Sequence, residues 1–200
     1  MVKTIIFDLG NVVINVNQKL MFEKFTKNSG KPLNEIEKIY ENSADRRKFE
    51  MGKLNPTQFY NLMKKGMNLN LSFDEFRKVY TCMFSHNKEI EKIIPKLKKN
   101  YRLVLLSNTD ELHYSFIRKN FNVLNYFNDF VLSYKFGCRK PNPLIFLEAI
   151  KKSRTYPWNC AYFDDIKEFV WVARMMGVKA FQYKSIEKLK SDLKKLGILG

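Results

Sequence analysis

The stretch Lys3-Thr-Ile-Ile-Phe-Asp-Leu-Gly-Asn-Val-Val13 decides the fold of this chain. It is an apolar run that ends in one carboxylate, Asp8, and a glycine turn at Gly10 follows directly. Strands buried on both faces of a parallel sheet have such continuous apolar runs, and residues at their carboxyl ends lie where ligands bind. The stretch therefore predicts a buried parallel strand that carries Asp8 to the edge of a sheet.

Four more short apolar runs follow along the chain, and helical patterns separate them. Alternation of strands and helices is typical of a parallel sheet with helices on both faces. We therefore predict an α/β fold, a Rossmann-like doubly wound parallel sheet. The predicted strands lie at 4–8, 102–107, 129–133, 160–164 and 178–183. The helical patterns lie at 87–99, at 110–120, from 142 onward and at 185–196.

The segment 15–85 interrupts this alternation, because it contains no convincing strand and several helix starts. An insertion after the first strand lies above the carboxyl ends of the strands, where ligands bind in such folds. We predict a helical cap at 15–85 and a core formed by 1–14 and 86–200. Three capping boxes mark helix starts: Asn34 with Glu37, Asn55 with Gln58, and Ser72 with Glu75. The apolar faces of the helices that follow include Ile36, Ile39 and Tyr40, then Phe59 and Leu62, then Phe76, Val79 and Tyr80.

The composition indicates a globular protein with a substantial core, since 45% of its 200 residues are hydrophobic and 14% are aromatic. The chain has no apolar run near the roughly 20 residues of a membrane span, and Asp8 interrupts the first run before it could form a signal-peptide core. We therefore expect no membrane partner and a cytoplasmic location. Cys82, Cys138 and Cys160 lie far apart in the sequence, so neither a disulfide framework nor a zinc site is expected.

The net charge is strongly positive, with 36 basic and 20 acidic residues giving +16. Such an excess could indicate nucleic-acid binding. The basic residues are mostly scattered lysines, however, and they form neither a basic stripe with interleaved aromatic residues nor a docking motif. We expect no nucleic-acid partner. A positive surface still favours anionic substrates such as phosphate esters.

Polar groups follow four separate elements of the predicted core. If the strands form one parallel sheet, Asp8, Ser107 and Asp164 all lie at its carboxyl edge. Taken singly, each group has a structural explanation, because Asp and Ser are common in turns and at helix starts. Their occurrence together favours a shared site. The groups are Asp8, Ser107-Asn108-Thr109, Arg139-Lys140-Pro141 and Asp164-Asp165.

These groups suit phosphoryl transfer. A carboxylate such as Asp8 can attack phosphorus and hold the phosphoryl group as an acyl phosphate. The Ser107 hydroxyl and the backbone N–H of Asn108 can bind phosphate oxygens, while Lys140 supplies positive charge. Mg²⁺ prefers hard oxygen ligands. Three carboxylates offer such ligands: Asp8, Asp164 and Asp165.

Four motifs resemble those of the haloacid dehalogenase-like hydrolase superfamily, and the resemblance covers essentially the whole chain. They are FDLGNV at 7–12, LLSNT at 105–109, GCRKPNP at 137–143 and FDD at 163–165. Within the superfamily, the chain is most similar to a bacterial branch of sugar-phosphate phosphatases that includes glucose-1-phosphatases. The segment FEMGKL at 49–54 is similar to a helical cap segment of that branch.

The resemblance implies roles for the motif residues. Asp8 is the expected nucleophile, and Lys140 falls on the lysine of the third motif. The Asp164-Asp165 motif is expected to bind magnesium. The residue two positions after the nucleophile ligates the ion through its backbone carbonyl in this superfamily, and Gly10 retains that carbonyl.

The sequence departs from the superfamily pattern where a general acid is usually found. Many members carry a second Asp two residues after the nucleophile, but this chain has Gly10, a feature shared by the branch it resembles. That branch often has carboxylates a few residues further on, whereas this chain has Asn15 and Asn17. General acid–base assistance is worth about 100- to 10,000-fold in rate. We therefore expect slow turnover or substrates with good leaving groups.

His113 is a candidate for contacting the substrate or assisting proton transfer, because it follows the second motif closely. The alternative is a structural histidine that is hydrogen-bonded on the helix after Thr109.

The sequence thus favours Mg²⁺-dependent hydrolysis of a small phosphate monoester, such as a sugar phosphate, through an aspartyl-phosphate intermediate on Asp8. The expected partner is a small phosphorylated metabolite. A haloacid dehalogenase-type hydrolase is one alternative, because halide needs no acid to leave, although Asp164 and Asp165 argue against it. A catalytically weak protein that binds a phosphorylated ligand is another alternative, motivated by the missing acid.

Overall fold

A computed structural model of the chain describes residues 1–199. Its strands are β1 Thr4–Phe7, β2 Ile14–Val16, β3 Phe84–His86, β4 Arg102–Ser107, β5 Asp129–Leu132, β6 Cys160–Asp164 and β7 Lys179–Gln182. Five of them form one sheet in the order β5-β4-β1-β6-β7, and every neighbouring pair in it is parallel. The two remaining strands, β2 and β3, pair as a separate antiparallel ribbon. The five predicted strands are confirmed, and their bounds differ from the predicted ones by at most one residue.

Eleven α-helices lie in the described part of the chain. They are α1 Gln18–Lys27, α2 Leu33–Glu41, α3 Ala44–Glu50, α4 Pro56–Met67, α5 Phe73–Tyr80, α6 Lys88–Lys98, α7 Glu111–Asn120, α8 Ser133–Phe136, α9 Pro143–Ser153, α10 Lys167–Met175 and α11 Ile186–Lys195. Short 3₁₀ turns lie at Asn122–Tyr126 and Pro157–Asn159. Over residues 1–199, no helix combines the length and the apolar character needed to cross a membrane.

Helices cover both faces of the five-stranded sheet. Ile5 and Phe7 of the central strand β1 point to one face and pack with residues of α6 and α11. Ile6 points to the other face and packs with residues of α9 and α10. Cover on both faces explains why the strands are apolar runs rather than alternating patterns. The predicted α/β, Rossmann-like doubly wound fold is therefore confirmed.

The central position of β1 determines where Asp8 lies. Phe7 is paired with Leu105 of β4 on one side and with Phe163 of β6 on the other. The backbone N–H of Asp8 continues this pairing and donates to the carbonyl oxygen of Phe163 at 2.9 Å. The ends of β1, β4 and β6 consequently lie side by side at the carboxyl edge.

The helices α1 to α5 form a separate layer with an apolar core of their own, which includes Phe25, Phe59 and Phe76. The ribbon of β2 and β3 joins this layer to the sheet at both ends of the insertion. The prediction that 15–85 contains no strand is wrong at its two ends, because β2 and β3 extend into it. Each is only three residues long, which is too short to produce a readable periodic pattern.

Two of the three predicted capping boxes are confirmed, at Asn55 and at Ser72. The predicted box at Asn34 is wrong, because α2 begins at Leu33 and Asn34 already lies inside its first turn. Pro32 occupies the capping position in an extended conformation, and it has no side-chain acceptor to offer. Leu62 was also expected on an apolar face, but it is exposed.

Gly52 marks a close approach between the five-helix layer and the core. Its φ is +69°, and a Cβ atom at this position would clash with the backbone oxygen of Tyr134, the second residue of α8. Only glycine therefore fits here, both because of its conformation and because of the space available.

We expect Gly52→Ala to destabilise the protein more than Gly30→Ala, which is a matched control. Gly30 also has a positive φ, +71°, but a Cβ atom added there would have no other atom within 4 Å. A left-handed conformation costs an alanine about 1–2 kcal/mol at either site. The clash with Tyr134 should add about 1–3 kcal/mol at Gly52. Denaturant unfolding measures both variants, and equal losses of unfolding free energy would contradict the close contact.

Candidate active site

A cavity lies between the carboxyl edge of the sheet and the five-helix layer, and residues of both line it. The core contributes Asp8, Gly10, Asn11, Ser107, Asn108, Arg139, Lys140 and Asp165. The helical layer contributes Tyr40, Arg46 and Glu50. The structure thus brings the predicted groups together from four separate stretches of sequence, as the parallel sheet requires.

Lys140 is the centre of the site. Its ammonium group is buried and donates to Asp8 Oδ1 at 2.6 Å and to Asp164 Oδ2 at 2.6 Å. It also lies 3.2 Å from the carbonyl oxygen of Leu106 and 3.3 Å from the hydroxyl of Tyr162. The lysine therefore links the ends of β1, β4 and β6 through one cation.

The side chain of Asn108 holds the backbone of Lys140 in place. Its Oδ1 accepts from the N–H of Lys140 at 2.8 Å, and its Nδ2 donates to the carbonyl oxygen of Lys140 at 3.0 Å. This two-bond clamp joins the loop after β4 to the loop before α9. The Asn108 side chain is thus engaged with the protein, whereas the predicted phosphate contact involves its backbone N–H.

Ser107 is the last residue of β4, and it lines the cavity as a buried side chain. The loop that follows is held by Ser133, whose hydroxyl accepts from the N–H of Thr109 and donates to its carbonyl oxygen, both at 2.9 Å. These two bonds anchor the loop that directly follows Ser107.

Three carboxylates converge on the same point. Oxygen atoms of Asp8, Asp164 and Asp165 all lie within 4.8 Å of one another. Burial raises the pKa of Asp8 to about 7, Lys140 opposes this rise, and Asp164 adds to it. Burial also raises the pKa of Asp165, although the hydrogen bond from Asn11 partly lowers it. Lys140 has a raised pKa as well: burial lowers it, but Asp8 and Asp164 raise it more.

Asn11 is a site residue that the sequence reasoning missed. Its φ is +57°, and its Nδ2 donates to Asp165 Oδ2 at 3.2 Å. Its Oδ1 accepts from the N–H of Val16 at 3.3 Å. The Gly10-Asn11 pair was a readable signal for this turn, because glycine and asparagine favour turns and asparagine tolerates a left-handed conformation.

His113 is buried at the edge of the cavity, and both of its ring nitrogens contact protein acceptors. Nδ1 lies 2.8 Å from Asp110 Oδ2, and Nε2 lies 3.1 Å from the carbonyl oxygen of Tyr80. The ring also stacks on Tyr80, with centroids 4.0 Å apart. This geometry favours the structural alternative over the predicted substrate contact.

A charged cluster on the cavity wall was also missed. Glu50 Oε2 of α3 lies 2.6 Å from Arg139 Nε, across the boundary between the helical layer and the core. Arg46, one turn earlier on α3, lies 3.7 Å from the other oxygen of Glu50 and covers the ring of Tyr40. The sequence gives little signal for such a cluster, because its members come from elements that meet only in the folded protein.

Comparisons with known proteins agree with this architecture. The family model of the haloacid dehalogenase-like hydrolases matches residues 2–174. The D-ribitol-5-phosphate phosphatase of Bacteroides thetaiotaomicron is 26% identical over 190 residues, which cover 91% of this chain and 92% of the relative.

Solved structures are also similar to this fold. A haloacid dehalogenase-family enzyme from Bacteroides thetaiotaomicron, in complex with magnesium and inorganic phosphate, has a TM-score of 0.83 at 24% identity, covering 94% of this chain and 99% of the other. A protein from Porphyromonas gingivalis, described as a predicted hydrolase of this family, has a TM-score of 0.84 at 24% identity, covering 98% of both chains.

We expect Lys140→Met to destabilise the metal-free protein by about 3–5 kcal/mol, because it leaves two buried carboxylates without their cation. Unpaired buried carboxyls have a raised pKa in the fold, so the loss should be largest at alkaline pH and should shrink as the pH falls and they bind protons. Denaturant unfolding in chelator across pH measures this. The exposed Lys135→Met is the control. A loss of unfolding free energy that does not change with pH would contradict the role of Lys140 as the cation that compensates Asp8 and Asp164.

Proposed function

Because this chain belongs to the haloacid dehalogenase-like hydrolase family, we propose that it is a Mg²⁺-dependent phosphatase of small phosphate monoesters. The observation that carries the proposal is the Asp8 carboxylate in the cavity, bonded to Lys140 and grouped with Asp164 and Asp165. A carboxylate in this position serves as a nucleophile that forms an aspartyl-phosphate, which divides one difficult displacement into two easier ones.

The charge balance of the carboxylate cluster supports a divalent cation. Three carboxylates face one lysine ammonium, and burial makes uncompensated charge costly. Closely grouped carboxylate oxygens are also the donors that Mg²⁺ prefers. The residues proposed to hold the ion are Asp8, Asp164 and Asp165 through their carboxylates and Gly10 through its backbone carbonyl. When bound, Mg²⁺ would screen the repulsion between the nucleophile and an anionic substrate.

Lys140, Ser107 and Asn108 are proposed to bind the phosphoryl group. Lys140 lies beside the nucleophile and offers the positive charge that stabilises the transition state. The Ser107 hydroxyl and the backbone N–H of Asn108 lie at the end of the neighbouring strand and can donate to phosphate oxygens. Hydrogen bonds from Ser133 to Thr109 and from the Asn108 side chain to Lys140 hold the loop after this strand, so these donors need little rearrangement when the substrate binds.

The expected substrate is a small phosphorylated metabolite such as a sugar or sugar-alcohol phosphate. The similarity to a D-ribitol-5-phosphate phosphatase supports this class. The net charge of +16 is compatible with it, because a positive protein attracts phosphate esters.

We also propose that residues 15–85 act as a cap on a core formed by 1–14 and 86–200. Helices α1 to α5 have their own apolar core, and the β2–β3 ribbon connects them to the sheet at both chain crossings. Such an arrangement allows the layer to move as a unit and to exclude water until the intermediate forms.

We expect Asp8→Asn to abolish phosphate release from a panel of sugar phosphates while leaving the fold intact. Asparagine has nearly the same shape as aspartate but cannot act as the nucleophile. Phosphate release measures the activity, circular dichroism checks the fold, and Asp74→Asn, at an exposed carboxylate on α5, is the control. Unchanged turnover in Asp8→Asn would overturn the proposed function.

Metal removal separates the proposed phosphatase from a dehalogenase. We expect chelation to stop phosphate release and Mg²⁺ to restore it, and Asp165→Asn to raise the Mg²⁺ concentration required for half-maximal activity. The same preparation should release no halide from 2-haloacids. Activity that survives full chelation, together with halide release, would favour the dehalogenase alternative.

A further inference from the structure

The proposed phosphatase reaction requires a proton for the departing alkoxide, and Gly10 offers no side chain to supply it. Phosphorus is attacked from the side of Asp8, so the leaving oxygen lies on the opposite side, which is the cap side of the cavity. A proton donor is therefore expected on the cap wall rather than on the strand that carries the nucleophile.

Few groups on the cavity lining can supply that proton. Among the described residues, the carboxyl side chains that line the cavity are Asp8, Asp165 and Glu50. Asp8 is the nucleophile, and Asp165 belongs to the proposed metal cluster. His113 has both nitrogens on protein acceptors, as described above. Burial raises the pKa of Tyr40, which makes its hydroxyl a poor acid near neutral pH.

We propose that Glu50 of the cap is the general acid and base of the reaction, replacing the carboxylate that Gly10 lacks. This inference rests on the proposed function. It assigns the acid to the cap, so that proton transfer is possible only when the cap lies over the core.

Contacts with the core support this assignment. Glu50 is the last residue of α3, only 12% of its side chain is exposed, and it lies 2.6 Å from Arg139. Arg139 directly precedes Lys140, which is bonded to Asp8. Glu50 is consequently tied to the same loop that carries the phosphate-binding lysine. Gly52, two residues later, permits the close approach of this chain segment to the backbone of Tyr134.

The surroundings of Glu50 permit it to hold and release a proton. Burial raises its pKa, and this effect exceeds the lowering by Arg46 and Arg139. At the start of α7, the capping residue Asp110 raises the pKa of Glu50, and His113 lowers it. The buried Glu50 Oε2 also lies near Arg139 without a well-aligned hydrogen bond. A carboxyl group with raised pKa and an incompletely bonded oxygen is suited to acid–base catalysis.

The proposed steps conserve atoms and charge. In the first step, a bond forms between an Asp8 oxygen and phosphorus, the bond from phosphorus to the ester oxygen breaks, and the Glu50 proton moves to that oxygen to give an alcohol. In the second step, the Glu50 carboxylate accepts a proton from water as the water oxygen attacks phosphorus. The acyl phosphate bond then breaks, which releases phosphate and restores Asp8 and protonated Glu50.

The test compares wild type and Glu50→Gln over a series of substituted phenyl phosphates and an alkyl ester, glycerol 1-phosphate. The quantity measured is kcat/KM, because it reports the phosphorylation of Asp8 rather than the later hydrolysis. We expect a loss of about 100- to 10,000-fold for the alkyl ester, whose leaving group requires protonation. For p-nitrophenyl phosphate we expect little change, because its leaving group is stable as an anion. An equal loss across the series would overturn the proposal.

A second measurement needs no substitution. In the wild type, kcat/KM for the alkyl ester should fall as the pH rises through the pKa of Glu50, because the acid must be protonated. The dependence of kcat/KM on leaving-group pKa should steepen over the same range, and a dependence that is constant with pH would overturn the proposal.

Control variants distinguish a failure of the proposed phosphatase function from a failure of the Glu50 assignment. Glu41→Gln, at an exposed cap carboxylate on α2, should match the wild type throughout. If Asp8→Asn still turns over p-nitrophenyl phosphate, the proposed function fails. If Asp8→Asn is inactive and Glu50→Gln behaves like the wild type toward the alkyl ester, only the assignment of Glu50 fails.

Discussion

The ion pairs of Lys140 with Asp8 and Asp164 are the interaction on which the rest of the site depends. One buried ammonium group joins the carboxyl ends of β1 and β6, and each contact is 2.6 Å long. Removing two carboxylates from water is costly unless a cation with good geometry compensates them. The fold meets this condition by clamping the Lys140 backbone with the side chain of Asn108. The lysine is thus held between the neighbouring ends of β1 and β6.

The same arrangement of charges suits the site to a divalent cation and an anionic substrate. Lys140 compensates part of the negative charge of Asp8, Asp164 and Asp165, and the remainder favours a divalent cation. In the proposed reaction, a phosphate ester would approach the Asp8 carboxylate with its charge screened on two sides. In the proposed reaction, residues of the core bind and transfer the phosphoryl group, whereas the proposed proton donor, Glu50, lies in the helical layer. Under these proposals, complete catalysis would depend on closure of the helical layer over the core.

The sheet and the location of its carboxylates could be predicted from the sequence, because buried parallel strands are short apolar runs. Asp8 lies directly after the end of β1, and Asp164 is the last residue of β6. The strands were predicted to within one residue for that reason. The β2–β3 ribbon was missed because its strands are too short to show a period, and the helix start at Asn34 was wrong because the capping position is Pro32, two residues earlier. The pairing of Glu50 with Arg139 was not predictable, since it depends on how the five-helix layer packs against the core.

The nucleophilic role of Asp8 is tested most directly by mass spectrometry of the protein after rapid acid quenching during turnover of a sugar phosphate with Mg²⁺. We expect up to one phosphoryl group per chain, located on the peptide that contains Asp8, and its disappearance once the substrate is exhausted. Steady phosphate release without phosphorylation of Asp8, or with the phosphoryl group on another residue, would contradict the account.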